Sequence, residues 1–164
     1  MSKQVASTVE PSTELLNMLK ADHDKVKDLF EQFEQTTNEE ERGAIIKSAL
    51  KELEVHADLE EKLIYPALRN QLEDRELITE AVEEHHVVHV LIKELKAGRV
   101  KQDRRDAKFT VLAENVKHHI KEEEEQLFPE ALVLDLDWES LSAKVEKKKA
   151  QLESKVSHQK RHER

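Results

Sequence analysis

One stretch of the sequence occurs twice, and this repeat limits the fold more than any other feature. The first copy, HADLEEKLIYP, begins at His56, and the second, HIKEEEEQLFP, begins at His119. In each copy a glutamate follows the histidine by four residues, as Glu60 and Glu123. An α-helix places such residues on one face, one turn apart. Two helices that face each other would therefore offer two imidazoles and two carboxylates to one interior metal site.

Composition predicts a single helical domain. The chain has 164 residues, 38% of them charged, with only two glycines and three prolines, which favours helices joined by short loops. The absence of cysteine excludes disulfides, iron–sulfur clusters and thiolate zinc sites, so histidine and carboxylate are the metal ligands at hand. A formal charge of −9 argues against general nucleic-acid binding. Without a membrane span or secretory signal, a cytoplasmic location is expected.

Four amphipathic segments each place one histidine on their apolar face, where interior residues recur at alternating steps of three and four. The predicted interior positions are Leu16, Leu19, His23, Val26, Phe30 and Phe33; Ile46, Ala49, Leu53, His56, Glu60 and Leu63; Ile78, Ala81, His85, Val88, Ile92 and Leu95; and Phe109, Leu112, Val116, His119 and Glu123. This pattern predicts an all-α fold, an up-down antiparallel four-helix bundle over residues 12–134. A loose arm, residues 1–11, precedes it, and a charged additional C-terminal helix and tail, residues 135–164, follows it.

Local signals predict where the helices begin and end. Ser12 or Thr13 is expected to cap the first helix, and Asn38 with Glu41 forms a capping box for the second. Pro66 should kink or end the second helix. The remaining signals are Asp74 and Asp137 as N-terminal caps, Asp103 as the start of the fourth helix, Gly98 as a C-terminal cap, and Trp138, Leu141, Val145 and Leu152 as the apolar face of the C-terminal helix.

The register separates candidate ligands from other acidic and histidine residues. The predicted metal ligands are His23, His56, Glu60, His85, His89, His119 and Glu123. His89 is included because it follows His85 by one helical turn, in a row of residues that borders the interior face and consists of Val82, His85, His89 and Ile92. Residues off the interior face are not predicted as ligands; they are His86, His118, Glu61, Glu122, Glu124 and Glu125, and the tail residues His158 and His162, which are predicted to lie on the surface. Any one of the ligands alone has a structural interpretation, such as a hydrogen-bonded core histidine, but together they indicate a metal.

These residues resemble the hemerythrin-like, or HHE cation-binding, family across roughly residues 12–132. The family pattern is a lone histidine, then H-x-x-x-E, then a histidine, then H-x-x-x-E, on four successive helices. The resemblance implies a non-haem di-iron centre in a four-helix bundle. Hemerythrins proper carry H-x-x-x-H on the third helix, which His85 and His89 match. They also use an aspartate five residues after the fourth-helix histidine, where this chain has Glu124; Glu123 is preferred here because it mirrors Glu60.

The residues and the resemblance together predict a protein with two iron ions, with zinc or manganese as alternatives. It would bind or sense O₂, peroxide or nitric oxide, or buffer iron. Two other hypotheses stay open: slow, catalase-like peroxide breakdown at the same centre, and a protein-interaction module that metal merely stabilises. No nucleic-acid or membrane partner is expected, and the protein is predicted to be a monomer or a weak homodimer.

Overall fold

The computed structural model describes the backbone of residues 9–162 and the side chains of residues 9–155. Residues 1–8 of the predicted arm and the side chains of His158 and His162 lie outside this range. All regular elements between residues 9 and 162 are helical, which confirms the all-α class. They are α1 (Pro11–Gln35), α2 (Glu39–Leu59), the π-helical turn π1 (Glu60–Ile64), α3 (Tyr65–Arg69), α4 (Glu76–Lys96), α5 (Gln102–Glu122), the π-helical turn π2 (Glu123–Leu127), α6 (Phe128–Leu132) and α7 (Trp138–His162). Among these described helices, none is long and apolar enough to cross a membrane.

Two apolar clusters divide the interior of the helical bundle along its length. The first is built around Leu19, Tyr65 and Phe128, and the second around Val26 and Phe109. On α1, His23 lies one turn from Leu19 and one turn from Val26, so the buried histidines occupy the layer between the clusters. Complete burial of a leucine or phenylalanine contributes about 1.5–3 kcal/mol, and these two clusters stabilise the polar layer that separates them.

The first helix begins earlier than predicted. Pro11 is its first residue, Glu10 is the flanking residue, and neither Ser12 nor Thr13 provides a cap, so that prediction is wrong. Proline suits the first turn because its fixed φ is already helical and its missing N–H would have no partner there. Half of the predicted capping box is present at the second helix, since Asn38 Oδ1 accepts a hydrogen bond from the backbone N–H of Glu41 at 3.0 Å. The other half is not, because the Asn38 N–H donates to the Thr36 hydroxyl, which in turn donates to the Glu41 carboxylate.

Each copy of the repeated stretch contains a π-helical turn that the alternating steps of three and four did not predict. In the first copy, Tyr65 N–H donates to the carbonyl of Glu60, five residues back. The wider turn advances the interior face by one position, so Ile64 is completely buried and the predicted Leu63 is only partly buried. Pro66 is predicted to kink or end the helix near Tyr65. The helical path instead continues past Tyr65, because Pro66 falls in the first turn of α3, where no N–H is needed.

The remaining boundaries follow the sequence closely, with one exception. Asp74 and Asp137 accept backbone N–H groups of Glu76 and Ser140, and Gly98 has the positive φ of 68° that ends a helix readily. The exception is Asp103, which lies inside α5 because that helix begins one residue earlier. The four residues predicted for the apolar face of α7 pack on the first apolar cluster.

Candidate metal centre

Six buried side chains form two ligand clusters that share two carboxylates. The first consists of His23, His56, Glu60 and Glu123, and the second of His85, His119, Glu60 and Glu123. Within each cluster the candidate ligand atoms all lie within 4.8 Å of one another. The two histidines of each pair approach through Nε2 at 3.1 Å. The shared glutamates come from the two copies of the repeated stretch. Because each belongs to both clusters, each could contact two ions.

Three of the four oxygens of the shared carboxylates lack a hydrogen bond that would offset their burial. Glu60 is 0% exposed and Glu123 is 3% exposed. Glu60 Oε1 lies 2.9 Å from His56 Nε2, yet neither oxygen of Glu60, nor Oε1 of Glu123, has a hydrogen bond of acceptable geometry. A buried carboxylate without hydrogen bonds is costly. Imidazole nitrogen and carboxylate oxygen are donors that suit iron, zinc or manganese, so these residues fit a pair of metal ions.

The electrostatics of the metal-free protein favour the charged forms of His56, His119 and Glu60. Burial opposes a charge on His56, but Glu60 and Asp22 outweigh it and raise the pKa of His56 to about 10. Burial likewise opposes ionisation of Glu60, but the neighbouring His56 and His85 hold the pKa of that carboxyl well below its usual range. The pKa of His119 is raised well above 6.5, because hydrogen bonds to Glu123 and Glu84 outweigh its burial. A bound cation would replace these protons.

A second set of carboxylates lies behind the histidines and orients the rings. His56 Nδ1 lies 3.3 Å from Asp22, and His119 Nδ1 lies 3.1 Å from Glu84. His85 Nδ1 lies 3.2 Å from Glu61. The corresponding distance from His23 Nδ1 to Glu124 is 3.8 Å, too long for a hydrogen bond. Carboxylates in this position turn Nε2 inward and increase the basicity of the ring, as they do around known metal sites.

Sequence reasoning missed these outer carboxylates, although a signal for them exists. Asp22 and Glu84 each immediately precede a histidine, and Glu61 and Glu124 each follow a shared glutamate directly. The positions therefore repeat between the two halves of the chain, like the ligands themselves. Their roles depend on contacts between helices, which spacing along one helix does not reveal. Asp22 is also the point where α7 reaches the centre, because Lys149 Nζ lies 2.9 Å from Asp22 Oδ1.

His89, the seventh predicted ligand, lies outside the two buried clusters. Its side chain is 42% exposed, and its Nε2 lies 2.9 Å from Glu61 Oε2. His89, Glu61 and Nδ1 of His85 form a separate, partly exposed group. The structure thus places His89 beside Glu61, the carboxylate that contacts His85 Nδ1. His89 lies at the border of the interior face of α4, as its register predicts. Among the residues not predicted as ligands, His118 and Glu122 pair with each other near the surface.

The two clusters differ in the aromatic residue beside them. Tyr65 is 2% exposed, and its hydroxyl donates a hydrogen bond to Glu123 Oε2. Phe128, the corresponding residue of the second copy, stacks on His23 with ring centroids 6.0 Å apart. Burial and the two shared glutamates raise the pKa of Tyr65 well above its usual value of 10, so the metal-free protein holds it as a neutral phenol.

A small cavity of about 40 Å³ adjoins both histidine pairs. The apolar residues in its wall are Val26, Leu53, Ala57, Val88, Val116 and Ile120. About 10–15 Å³ of such space is needed to hold one water molecule, so the cavity has room for a small molecule. Its apolar wall offers few hydrogen bonds to water, which favours a small, weakly polar ligand next to the clusters.

Comparison with known proteins agrees with this arrangement. The sequence matches the hemerythrin HHE cation binding domain over residues 14–131, which is most of the chain. It is also 26% identical, over 112 residues, to a DNA nickase of Nostoc sp. (strain PCC 7120 / SAG 25.82 / UTEX 2576); the match covers 68% of this chain but only 32% of that protein. No solved structure matches the chain significantly. On the family match and the two buried clusters, the chain belongs to the hemerythrin HHE cation-binding domain family.

Proposed function

We propose that this protein holds a non-haem di-iron centre and uses it to bind or sense O₂, peroxide or nitric oxide. The observation that supports this most is the pair of buried clusters that share Glu60 and Glu123. Two clusters with separate histidine pairs and shared carboxylates suit two ions held close together. A bound iron pair would supply redox chemistry and open coordination positions for such a ligand.

The surrounding residues support this function in distinct ways. Glu60 and Glu123 would bridge the ions, and the four histidines would complete their outer coordination. Asp22 and Glu84 fix the ring orientation of His56 and His119 through hydrogen bonds to Nδ1. The apolar cavity wall limits the entry of water, which tunes the reduction potential. The proposal also places the four long helices α1, α2, α4 and α5 in an up-down antiparallel bundle around the centre.

The likeness to a DNA nickase does not bring nucleic acid into the proposal. The aligned segment is only about a third of that protein, so its activity as a whole is not carried over to this chain. This chain carries a formal charge of −9, and such a charge repels a phosphate backbone. What the two proteins share is therefore proposed to be the cation-binding part.

Metal analysis together with absorption spectroscopy tests the proposal. We expect about two irons per chain, one for each cluster. We also expect absorption bands that change on reduction and on exposure to O₂ or nitric oxide. Glu60→Gln should lose both irons, because an amide offers one oxygen and cannot bridge two ions. Glu122→Gln, a change near the surface of α5, is the matched control and should keep them. Zinc in place of iron, or no metal after iron supplementation, would contradict the proposal.

A further inference from the structure

The hydroxyl of Tyr65 occupies a position among the candidate ligand atoms of the second cluster. It lies 3.3 Å from His85 Nε2 and 3.4 Å from His119 Nε2, and it donates a hydrogen bond to Glu123 Oε2. Donor atoms bound to one ion at about 2.1 Å, at right angles, lie about 3 Å from one another. The hydroxyl oxygen therefore has the spacing from the other donor atoms that a further ligand to the same ion would have.

Within the described part of the chain, the first cluster has no such hydroxyl beside it. Phe128 takes the corresponding place in the repeat and presents a hydrocarbon ring to His23. In histidines and shared glutamates the two clusters match, with two of each in both. Packing alone does not explain the difference, because phenylalanine fills the same place in the second copy of the repeat. A buried phenol needs a polar partner, and here that partner is the ligand set itself.

We propose that Tyr65 binds, as a phenolate, the ferric ion held by His85 and His119, and so makes the two ions of the centre chemically unequal. This inference rests on the proposed di-iron function. The phenol O–H bond breaks, an iron–oxygen bond forms, and the proton leaves to solvent. No electron is transferred, so the step needs no oxidant or reductant. The ferric ion takes the place of the proton that Tyr65 shares with Glu123 in the metal-free protein.

The extra ligand assigns different tasks to the two ions. The ion beside Tyr65 would have five protein ligands, His85, His119, Glu60, Glu123 and Tyr65, whereas the other would have four. A phenolate adds negative charge in a buried site and therefore stabilises ferric over ferrous iron at that ion. The ion held by His23 and His56 keeps more open positions. Reduction and binding of a small ligand should therefore occur there first.

The chain offers an unusually direct test, because Tyr65 is its only tyrosine. Any tyrosinate signal from the iron-loaded protein must come from this residue. We expect a visible phenolate-to-iron charge-transfer band in the ferric protein, tyrosinate ring modes in its resonance Raman spectrum, and two distinct ferric signals in its Mössbauer spectrum. Ring-deuterated tyrosine should shift the Raman modes, which identifies them in the wild-type protein without any substitution.

Substitution provides the second arm of the experiment. Tyr65→Phe should keep two irons, lose the charge-transfer band, and bring the two Mössbauer signals together. Phe128→Leu, a change on the other side of the centre, is the control and should retain the band. Two irons without tyrosinate modes in the wild-type protein would overturn the role of Tyr65 but leave the di-iron proposal standing. Failure of the wild-type protein to bind iron would overturn both.

Discussion

The sharing of Glu60 and Glu123 by both clusters leads to a graded prediction for metal-dependent stability. Glu60 belongs to both clusters, whereas His23 belongs to one. Replacing Glu60 by Gln should therefore remove the stabilisation given by two ions. Replacing His23 by Leu, which keeps much of the volume, should remove the stabilisation given by one ion and leave the second cluster intact.

The expected magnitude follows from linkage between binding and folding. Each ion at a free concentration of 100 times its Kd adds about 2.7 kcal/mol to the free energy of unfolding. Two ions add about 5 kcal/mol, which for a chain of this size raises Tm by about 10–20 °C. The gain should fall to about half in His23→Leu and nearly to zero in Glu60→Gln.

Thermal unfolding followed by circular dichroism measures these gains, with ferrous iron under anaerobic conditions and with a chelator. The difference between the two curves for one variant cancels the effect of the substitution on the metal-free protein. That correction matters because Glu60 also pairs with His56 when metal is absent. Glu122→Gln should show the full wild-type gain. A full gain in Glu60→Gln, or an equal loss in Glu60→Gln and His23→Leu, would refute the shared-ligand arrangement.

Three further predictions concern the surroundings of the centre. The free energy of unfolding of the metal-free protein should fall between pH 6.5 and pH 10. Folding raises the pKa of His56 to about 10, so the fold is stabilised by the protonated ring and loses that stabilisation as the proton leaves. Urea midpoints at pH 6 and pH 10 check this, and equal midpoints would contradict it. Glu84→Gln should weaken metal binding about 10–100-fold in competition with a chelator, and the exposed Glu83→Gln should not. Phe109→Ala, at a completely buried position, should cost about 3–5 kcal/mol in urea unfolding, whereas the exposed Val111→Ala should change stability by less than about 0.5 kcal/mol.

The ligand layer was predictable because its signal is local. His56 and Glu60 are one helical turn apart, and so are His119 and Glu123, so spacing alone places each pair on one face. His23 and His85 occupy interior positions among apolar neighbours, which the steps of three and four reveal. The structure brings these six residues together. Their role as metal ligands stays a prediction that the experiments above test.

The π-helical turns were not predictable from the same spacing. A turn with one extra residue changes which side chain faces inward, as it does at Leu63 and Ile64. The α-helical period does not contain that information, because the wider turn depends on packing against other helices. Such turns are frequent at functional sites. Here each begins at a shared glutamate, Glu60 or Glu123.

The sequence by itself determined the helical class, most helix boundaries and the buried histidine–glutamate layer, because each depends on neighbours within about one turn of the same helix. Only the tertiary structure decided the contacts between helices. It placed Asp22 and Glu84 behind histidines of other helices, paired His89 with Glu61, and brought the Tyr65 hydroxyl to Glu123. These contacts join residues far apart in the chain, and their distances follow from how the helices pack. No periodicity within one helix encodes them.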